Sequence, residues 1–565
     1  MWIRYLLILL FFAVSACGEI IPPARRITWT GNVGIPGGIP TGQTIYTNLS
    51  PMGGSVNDAT NIMIAMAACP SNQVILMSAG TFRIDTSIDF QNLNGVVLRG
   101  SGRASTIWRL SYDAQKAINM RGTPGTAYSS LGTASEIRTN ITSSIVQGTT
   151  VITLGNATGF NIGGIYVVSH TNDVDVDSMN ASEPGPSLLY GTNRSRVQTV
   201  IVTAKTGNDL TVDPPLSFTY TNAPMIHDFY QTPVRRCGIE SLKIDQVFTN
   251  GDANCIGLEG AFQCWIKDVV VTNFSRSGVL VSYSTQCEVR DSDILNPTTL
   301  AGGQGYGIPC YYFSCFNLIE NNVLRGCHSG ISVQFGGAGN VFGYNYVING
   351  SSDSGSEPSI SSHAAHNFMN LWEGNWTMDK ADADYVHGSS DRNTLFRNRI
   401  VGHQSGKTFT QHAVIFYELN RHWNIVGNIL GDPSYHTTYR FDYPTAATGN
   451  PIMILGSDGN ADSNGDDVTE MDAIVHGNYD TVTADVTWDA GIADHVIQDS
   501  LYLSSKPSSF GFLTWPSFST FSSTNTLSYT NIPSGYRYAN GTNPPAAAVY
   551  PSRHGRIRGW RNGVR

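Results

Sequence analysis

Between residues 310 and 422 the chain gathers many side chains that move protons. They are His363, His366, His387 and His412, Tyr311 and Tyr417, the carboxylates Glu373, Asp391 and Glu418, and the guanidinium groups of Arg397 and Arg421. Imidazole and phenol exchange protons under mild conditions, and a guanidinium holds an anion in place. His387, His366 and Tyr417, with Arg421 or Arg397, therefore read as base, acid and carboxylate clamp for an elimination. Glu373, Asp391 and Glu418 offer the alternative, in which one carboxyl protonates a leaving oxygen and another activates water. Each residue also has a plainer reading. Glu373 fits a column of outward surface charges, and His387 could cap the turn before Ser389, Ser390 and Asp391. His363 and His366 do not suit a shared metal, because strand residues three apart point to opposite faces.

The elements that position these groups come from a repeat. Anchors at Cys237, Cys264, Cys287, Asn317, Asn340, Asn370, Asn393 and Trp423 are spaced 27, 23, 30, 23, 30, 23 and 30 residues apart. Two residues after each anchor stands an apolar side chain (Ile239, Ile266, Val289, Ile319, Phe342, Trp372, Leu395, Ile425), and seven after it usually an aliphatic one. Charged residues such as Glu240, Lys267, Arg290, Glu320 and Glu373 fall three after the anchor, so apolar columns point in and charges out. Asn322, Asn345, Asn375, Asn398 and Asn428 recur at anchor+5, where stacked amides can bond to one another on successive coils. This pattern predicts a parallel β-helix with coils of 23–30 residues. Cys237, Cys264 and Cys287 then stack on adjacent coils, reading first as buried thiols, with a disulfide as the alternative. The longer coils place their excess at 296–306, 349–361 and 402–411, a wall along one edge. Beside it the column six before each anchor reads Tyr311, Gln334, Ala364, His387 and Tyr417. His363, His412 and Glu418 stand close by. Hydroxyl, amide and aromatic groups one coil apart would suit a linear polysaccharide.

Residues 55–110, with Asp58-Ala59-Thr60, Val74-Ile75-Leu76, Ala79-Gly80-Thr81-Phe82 and Val97-Leu98-Arg99-Gly100-Ser101-Gly102, resemble the N-terminal cap and first coils of pectate-lyase-superfamily proteins. The resemblance extends over 237–480. It implies an all-β, right-handed parallel β-helix with an N-terminal capping helix near 58–68, and a polysaccharide as partner. Within it, a lyase acting on an acidic, uronate polysaccharide is the first expectation. The alternatives are a glycoside hydrolase using Glu or Asp, and a non-catalytic glycan-binding or structural protein. Departures from the superfamily's better-known members are plain. No close aspartate pair of the polygalacturonase type is recognised, nor the calcium aspartates of pectate lyases.

The remaining chain frames this core. A length of 565 residues with only 14% charged side chains, 58 Gly and a formal net charge of −9 excludes coiled coils and gives no reason to expect nucleic acid. Residues 1–17 read as an export signal whose end, Val14-Ser15-Ala16-Cys17, resembles a lipobox with Cys17 as the lipidation site, the alternative being cleavage after Ala16 by ordinary signal peptidase; both place the protein at a cell surface or outside the cell. The predicted divisions are a linker at 18–54, cap and first coils at 55–111, an inserted β-domain at 112–235, the main helix at 236–500 and an extension with an arginine-rich tail at 501–565. Asp458, Asn460, Asp462 and Asp466 alternate oxygen ligands in a way that suits Ca²⁺, outside the EF-hand pattern.

Overall fold

The computed structural model describes residues 19–111, 116–124, 137–173, 175, 194–247, 253–300, 302–350, 358–408, 410–442, 449–457, 469, 472–520 and 527–546. Cys17, the acidic stretch Asp458, Asn460, Asp462 and Asp466, most of the 170–195 loop and the arginine-rich tail lie outside the described residues.

The coils stack in parallel with the register that the anchors predict. Ile239 pairs with Ile266, Val289 with Ile319, Phe342 with Trp372 and Leu395 with Ile425, in one sheet whose strands on each coil bend about the anchor+4 residue. Two side-chain ladders run inside this wall. The anchor+5 ladder passes from Asn322 through Asn345, Asn375, Asn398 and Asn428 to Asn478, each amide donating to the next carbonyl oxygen at 2.9–3.0 Å. A second ladder links the anchors Asn317, Asn340, Asn370 and Asn393 themselves. All are fully buried, so the ladders satisfy amides that would otherwise be stranded in an apolar core. The residue before each anchor holds a left-handed bend, with φ of 49–56° at Gln286, Phe316, Met369, Arg392 and His422. Cys237, Cys264 and Cys287 are buried free thiols in the core, as are Cys255, Cys310, Cys315 and Cys327.

A second, all-parallel sheet closes the coil. From the N-terminal end its strands are Ile88–Asp89, Lys116–Arg121, Asn254–Glu259, Ser277–Ser282, Tyr306–Tyr311, Ser329–Gln334, Ile360–His363, Ala381–Ala383, Val414–Tyr417, Pro451–Ser457 and Thr438–Asp442. Ile308, Cys310, Ile331, Val333, Val414 and Phe416 point into the core. Between the two sheets runs a row of single bridges through Phe262, Thr285, Cys315, Ala338, Phe368, Asp391 and Arg421.

Three segments differ from the predicted divisions. Lys116–Arg121 is a coil strand, paired with Asn254–Glu259, so the antiparallel insertion begins only at Thr123 and ends at Thr232. This inserted sheet packs over the bridge row, with Thr199 donating to Cys315 Sγ and Arg196 to Asp391. Residues 18–54 are not a free linker, since Ile45–Leu49 pairs with Gln73–Met77 and the buried Trp29 donates to the Met369 carbonyl. The stacked coils end in the hairpin of Asn478–Asp480 with Asp485–Thr487, and residues from 497 onward strap back along the first sheet. At the other end, helix Ala59–Ala68 sets Ala59, Ile62 and Met66 into the core.

Candidate functional site

The outer face of the second sheet forms a strip along the coils, and its register corrects the column read from the sequence. Cys310, Val333, Ser362, Ala383 and Phe416 are successive partners. One residue on, the outward column is therefore Tyr311, Gln334, His363, Asp384 and Tyr417, with His363 in place of Ala364 and Asp384 in place of His387. Counting back from the anchor fails because the connecting turn varies. Seven residues separate Cys310 from Asn317, but eight separate Ser362 from Asn370 and ten separate Ala383 from Asn393. Two buried amides hold these longer turns. Asn367 donates to the carbonyls of Val333, His363 and Ala364. Asn420 donates to those of Ala383, Asp384 and Tyr417, and so fixes both sides of the strip's centre.

That centre is the strand segment Lys380-Ala381-Asp382-Ala383-Asp384. Strand alternation turns Ala381 and Ala383 into the core and leaves Lys380, Asp382 and Asp384 on one outer face. Lys380 Nζ lies 3.3 Å from Asp382 Oδ2, while Asp382 Oδ1 is buried without a hydrogen-bond partner. Burial raises the Asp382 carboxyl to about 6, the Asp384 charge adding to the effect and Lys380 opposing it. Asp384 bonds His363 Nδ1 at 2.7 Å. Burial pulls the His363 imidazolium down, but Asp384 outweighs this and the net shift is upward. Burial also holds the Tyr417 phenol above its ordinary range, and Tyr385 meets Tyr417 edge-on at 5.5 Å. Here, then, is the close aspartate pair that the sequence reading did not recognise. Its signal was the charged–small alternation over residues 380–384.

The other expected residues divide. His387 is half-buried at the rim, 5.6 Å from the His363 ring, and stacks on Phe335. Tyr283, Tyr312 and Phe335, unremarked in the sequence, stack at 5.1–5.2 Å along the same rim. Tyr311 and Gln334 lie in the floor, nearly covered. His412 sits at the other edge, its Nδ1 2.8 Å from the Pro451 carbonyl and its pKa lowered by burial. Glu418 follows Tyr417 in the turn and is half-exposed.

Four expectations are corrected. His366 is fully buried under the inserted sheet, 3.2 Å from Asp391, and burial, followed by the nearby Arg196, holds its pKa well below the ordinary value. Arg421 stands in the bridge row next to Asp391, round the corner from Tyr417. Glu373 does point out of the coil, but the C-terminal strap covers it completely. Leu501 N donates to its Oε2 at 2.8 Å and Tyr344 OH to its Oε1 at 3.1 Å. Arg397 is spent on the strap, donating to the carbonyls of Ile497, Gln498 and Phe518. Among the described residues no group of three or more His, Cys, Asp or Glu is arranged to hold a metal.

No family model matches the chain, and no curated protein matches it. Solved structures do. The tailspike protein gp49 of Pseudomonas phage LKA1 aligns at 14% identity with a TM-score of 0.47, over 66% of this chain and 57% of that one. The A-module of mannuronan C-5 epimerase AlgE4 from Azotobacter vinelandii aligns at 11% and 0.37, over 72% and 95%. The polygalacturonase of Erwinia carotovora ssp. carotovora aligns at 11% and 0.33, over 74% and 95%. The parallel β-helix itself is read from the strand pairing of this chain. The chain spans little more than half the length of that tailspike.

Proposed function

We propose that the protein cleaves a polysaccharide lying along the second sheet, and does so by hydrolysis. One observation carries the reading: Asp382 and Asp384 project from the same face of one strand, and burial raises the first to about 6 and leaves one of its oxygens unengaged. Residues two apart on a strand have their Cα atoms about 6.6 Å apart, a spacing from which two outward carboxyl groups can span the roughly 6.5–9.5 Å that leaves room for a water in inverting hydrolysis. Asp382 gives its proton to the glycosidic oxygen. Asp384, oriented by His363, takes the proton of the water that attacks the opposite face of the sugar.

Elimination is the second reading, favoured by the His363–Asp384 contact. A carboxylate on Nδ1 orients the ring and leaves Nε2 as a base, with Tyr417 two coils along as the acid. Products decide between them. Purified protein on a polysaccharide panel is expected to release reducing ends without ultraviolet absorbance and with inverted anomeric configuration. Absorbance rising in step with new ends would replace hydrolysis by elimination, and no new ends on any polymer would leave a binding protein.

A further inference from the structure

We propose that Tyr283, Tyr312 and Phe335 form an aromatic rail that binds successive sugar rings of a polysaccharide, on the N-terminal side of Asp382 and Asp384. This rests on the reading of the strip as a glycan-cleaving site, and adds where that site holds the uncleaved part of its polymer. Each of the three follows the outward column by one residue, after Ser282, Tyr311 and Gln334, which are aligned coil to coil. Their backbones are left-handed, with φ of 52°, 41° and 59°. A bulky side chain adopts that conformation at a cost, and glycine adopts it freely. One coil before Tyr283 the same position is Gly260, with φ of 60°. The turn itself therefore asks only for glycine, and three aromatic rings in a row need another reason.

Elsewhere in the molecule that reason is visible. Phe313, Phe316 and Tyr344 are also left-handed, and all are buried against another part of the chain. Phe313 packs with Val167 and Val197 of the inserted sheet, Phe316 closes with Ile27 over Gly339, and Tyr344 accepts from Trp515 of the strap. Tyr283, Tyr312 and Phe335 stay half-buried instead. Tyr283 touches the inserted-sheet cluster, while Tyr312 meets Tyr311 and Phe335 meets His363 edge-on, at 5.8 and 6.2 Å. The rings stack 5.1–5.2 Å apart and 12° from parallel, so their outer edges make one apolar ribbon beside the strip. Its pitch is that of the coils, about 4.8 Å, close to the advance of one pyranose unit along an extended polymer. A sugar with its C–H groups on this ribbon turns its hydroxyls toward the floor, where Tyr311, Gln334 and Ser332 offer hydroxyl and amide groups. The ribbon ends at His363, which is bonded to Asp384, so a chain lying on it reaches the carboxylates.

The full chain is to be run by affinity electrophoresis in gels of mannan, galactan, xylan, glucan, polygalacturonate and alginate, with reducing-end release followed on the same polymers. Tyr312→Gly and Phe335→Gly remove a ring and leave a residue that suits the left-handed backbone. Each is expected to weaken retention by the polymer that the wild type binds best about three- to tenfold. Phe335→Leu, which keeps apolar bulk without a flat ring, is expected to weaken it as well. Phe512→Ala removes a ring that is 51% exposed on the strap, and is expected to bind as the wild type does. Circular dichroism checks that each variant is folded. Ring-less variants that bind as tightly as the wild type overturn the rail and leave the cleaving site standing. Equal weakening by Phe512→Ala overturns it too, because the affinity would then be adhesion to any exposed ring. Weakened binding in a protein that releases no reducing ends keeps the rail and removes the enzyme. Retention by no polymer overturns both.

Discussion

Asp382 and Glu373 stand on the outer faces of two sheets of one solenoid, and burial raises both carboxyls, to about 6 and about 7. Their surroundings separate them. Glu373 lies under the strap, and each of its oxygens accepts a hydrogen bond, from Leu501 N and from Tyr344 OH. Asp382 has one oxygen facing Lys380 and one with no partner, on a face whose neighbours His363, Asp384 and Tyr417 remain half-exposed. A raised pKa thus marks desolvation in both places, and only the unsatisfied one is free to do chemistry.

The sharpest way to break this contrast is to neutralise both groups in parallel. Asp382→Asn is expected to lower turnover about 10²- to 10⁴-fold, the usual contribution of a positioned acid, whereas Glu373→Gln leaves turnover unchanged. Steady-state rates on the polymer that the wild type cleaves check this. A Glu373→Gln variant as inactive as Asp382→Asn would put the chemistry on the wrong sheet.

How much of this was legible beforehand follows from what repeats and what does not. Anchors 23 and 30 residues apart set the strand register, and the anchor+5 asparagines formed the ladder that their spacing required, because each coil meets its neighbour at one fixed offset. The second ladder at Asn317, Asn340, Asn370 and Asn393 was visible as a column of anchors without being read as hydrogen-bonded. The site was harder to read. Ala364 and His387 were set in the outward column in place of His363 and Asp384 because the turns at 363–370 and 384–393 carry extra residues that no period announces. Glu373, Arg397 and His366 were misjudged for another reason. An outward position on a coil says nothing about which distant segment covers it, and the strap and the inserted sheet have no periodic relation to the coils they cover.

A ladder substitution tests whether the solenoid frame is independent of the strip. Asn375 accepts from the backbone and side-chain amides of Asn345, and donates to the Phe342 carbonyl and to Asn398. Asn375→Ala leaves several of these buried groups unpaired, at about 1–3 kcal/mol each, and is expected to lower the denaturation midpoint markedly. Folded protein recovered at low temperature should keep its turnover. Turnover that falls by more than the folded fraction would tie the ladder to the chemistry.

The smallest effect concerns pH, where two covered regions of the molecule pull in opposite directions. Glu373 has its folded pKa raised to about 7, so its contribution is complete below the ordinary value near 4.5 and is lost as pH rises through 7, on the order of 3 kcal/mol in all. Under the inserted sheet, His170 and His366 are buried among Arg194, Arg196, Arg392, Asp173, Asp175 and Asp391, and burial with the nearby arginines depresses both, His170 to about 4. A depressed histidine stabilises the fold fully above its ordinary value near 6.5, and that stability is lost as pH falls, again on the order of 3 kcal/mol for His170. The two trends run against each other between about pH 4.5 and 6.5, so the falling contribution of Glu373 offsets part of the gain from the histidines and stability should rise only gently with pH there. Chemical denaturation across pH 4–8 checks this, and Glu373→Gln should steepen the rise. If that substitution left the slope unchanged, the strap carboxylate would not be the group that titrates, and the kinship drawn between Glu373 and Asp382 would fail.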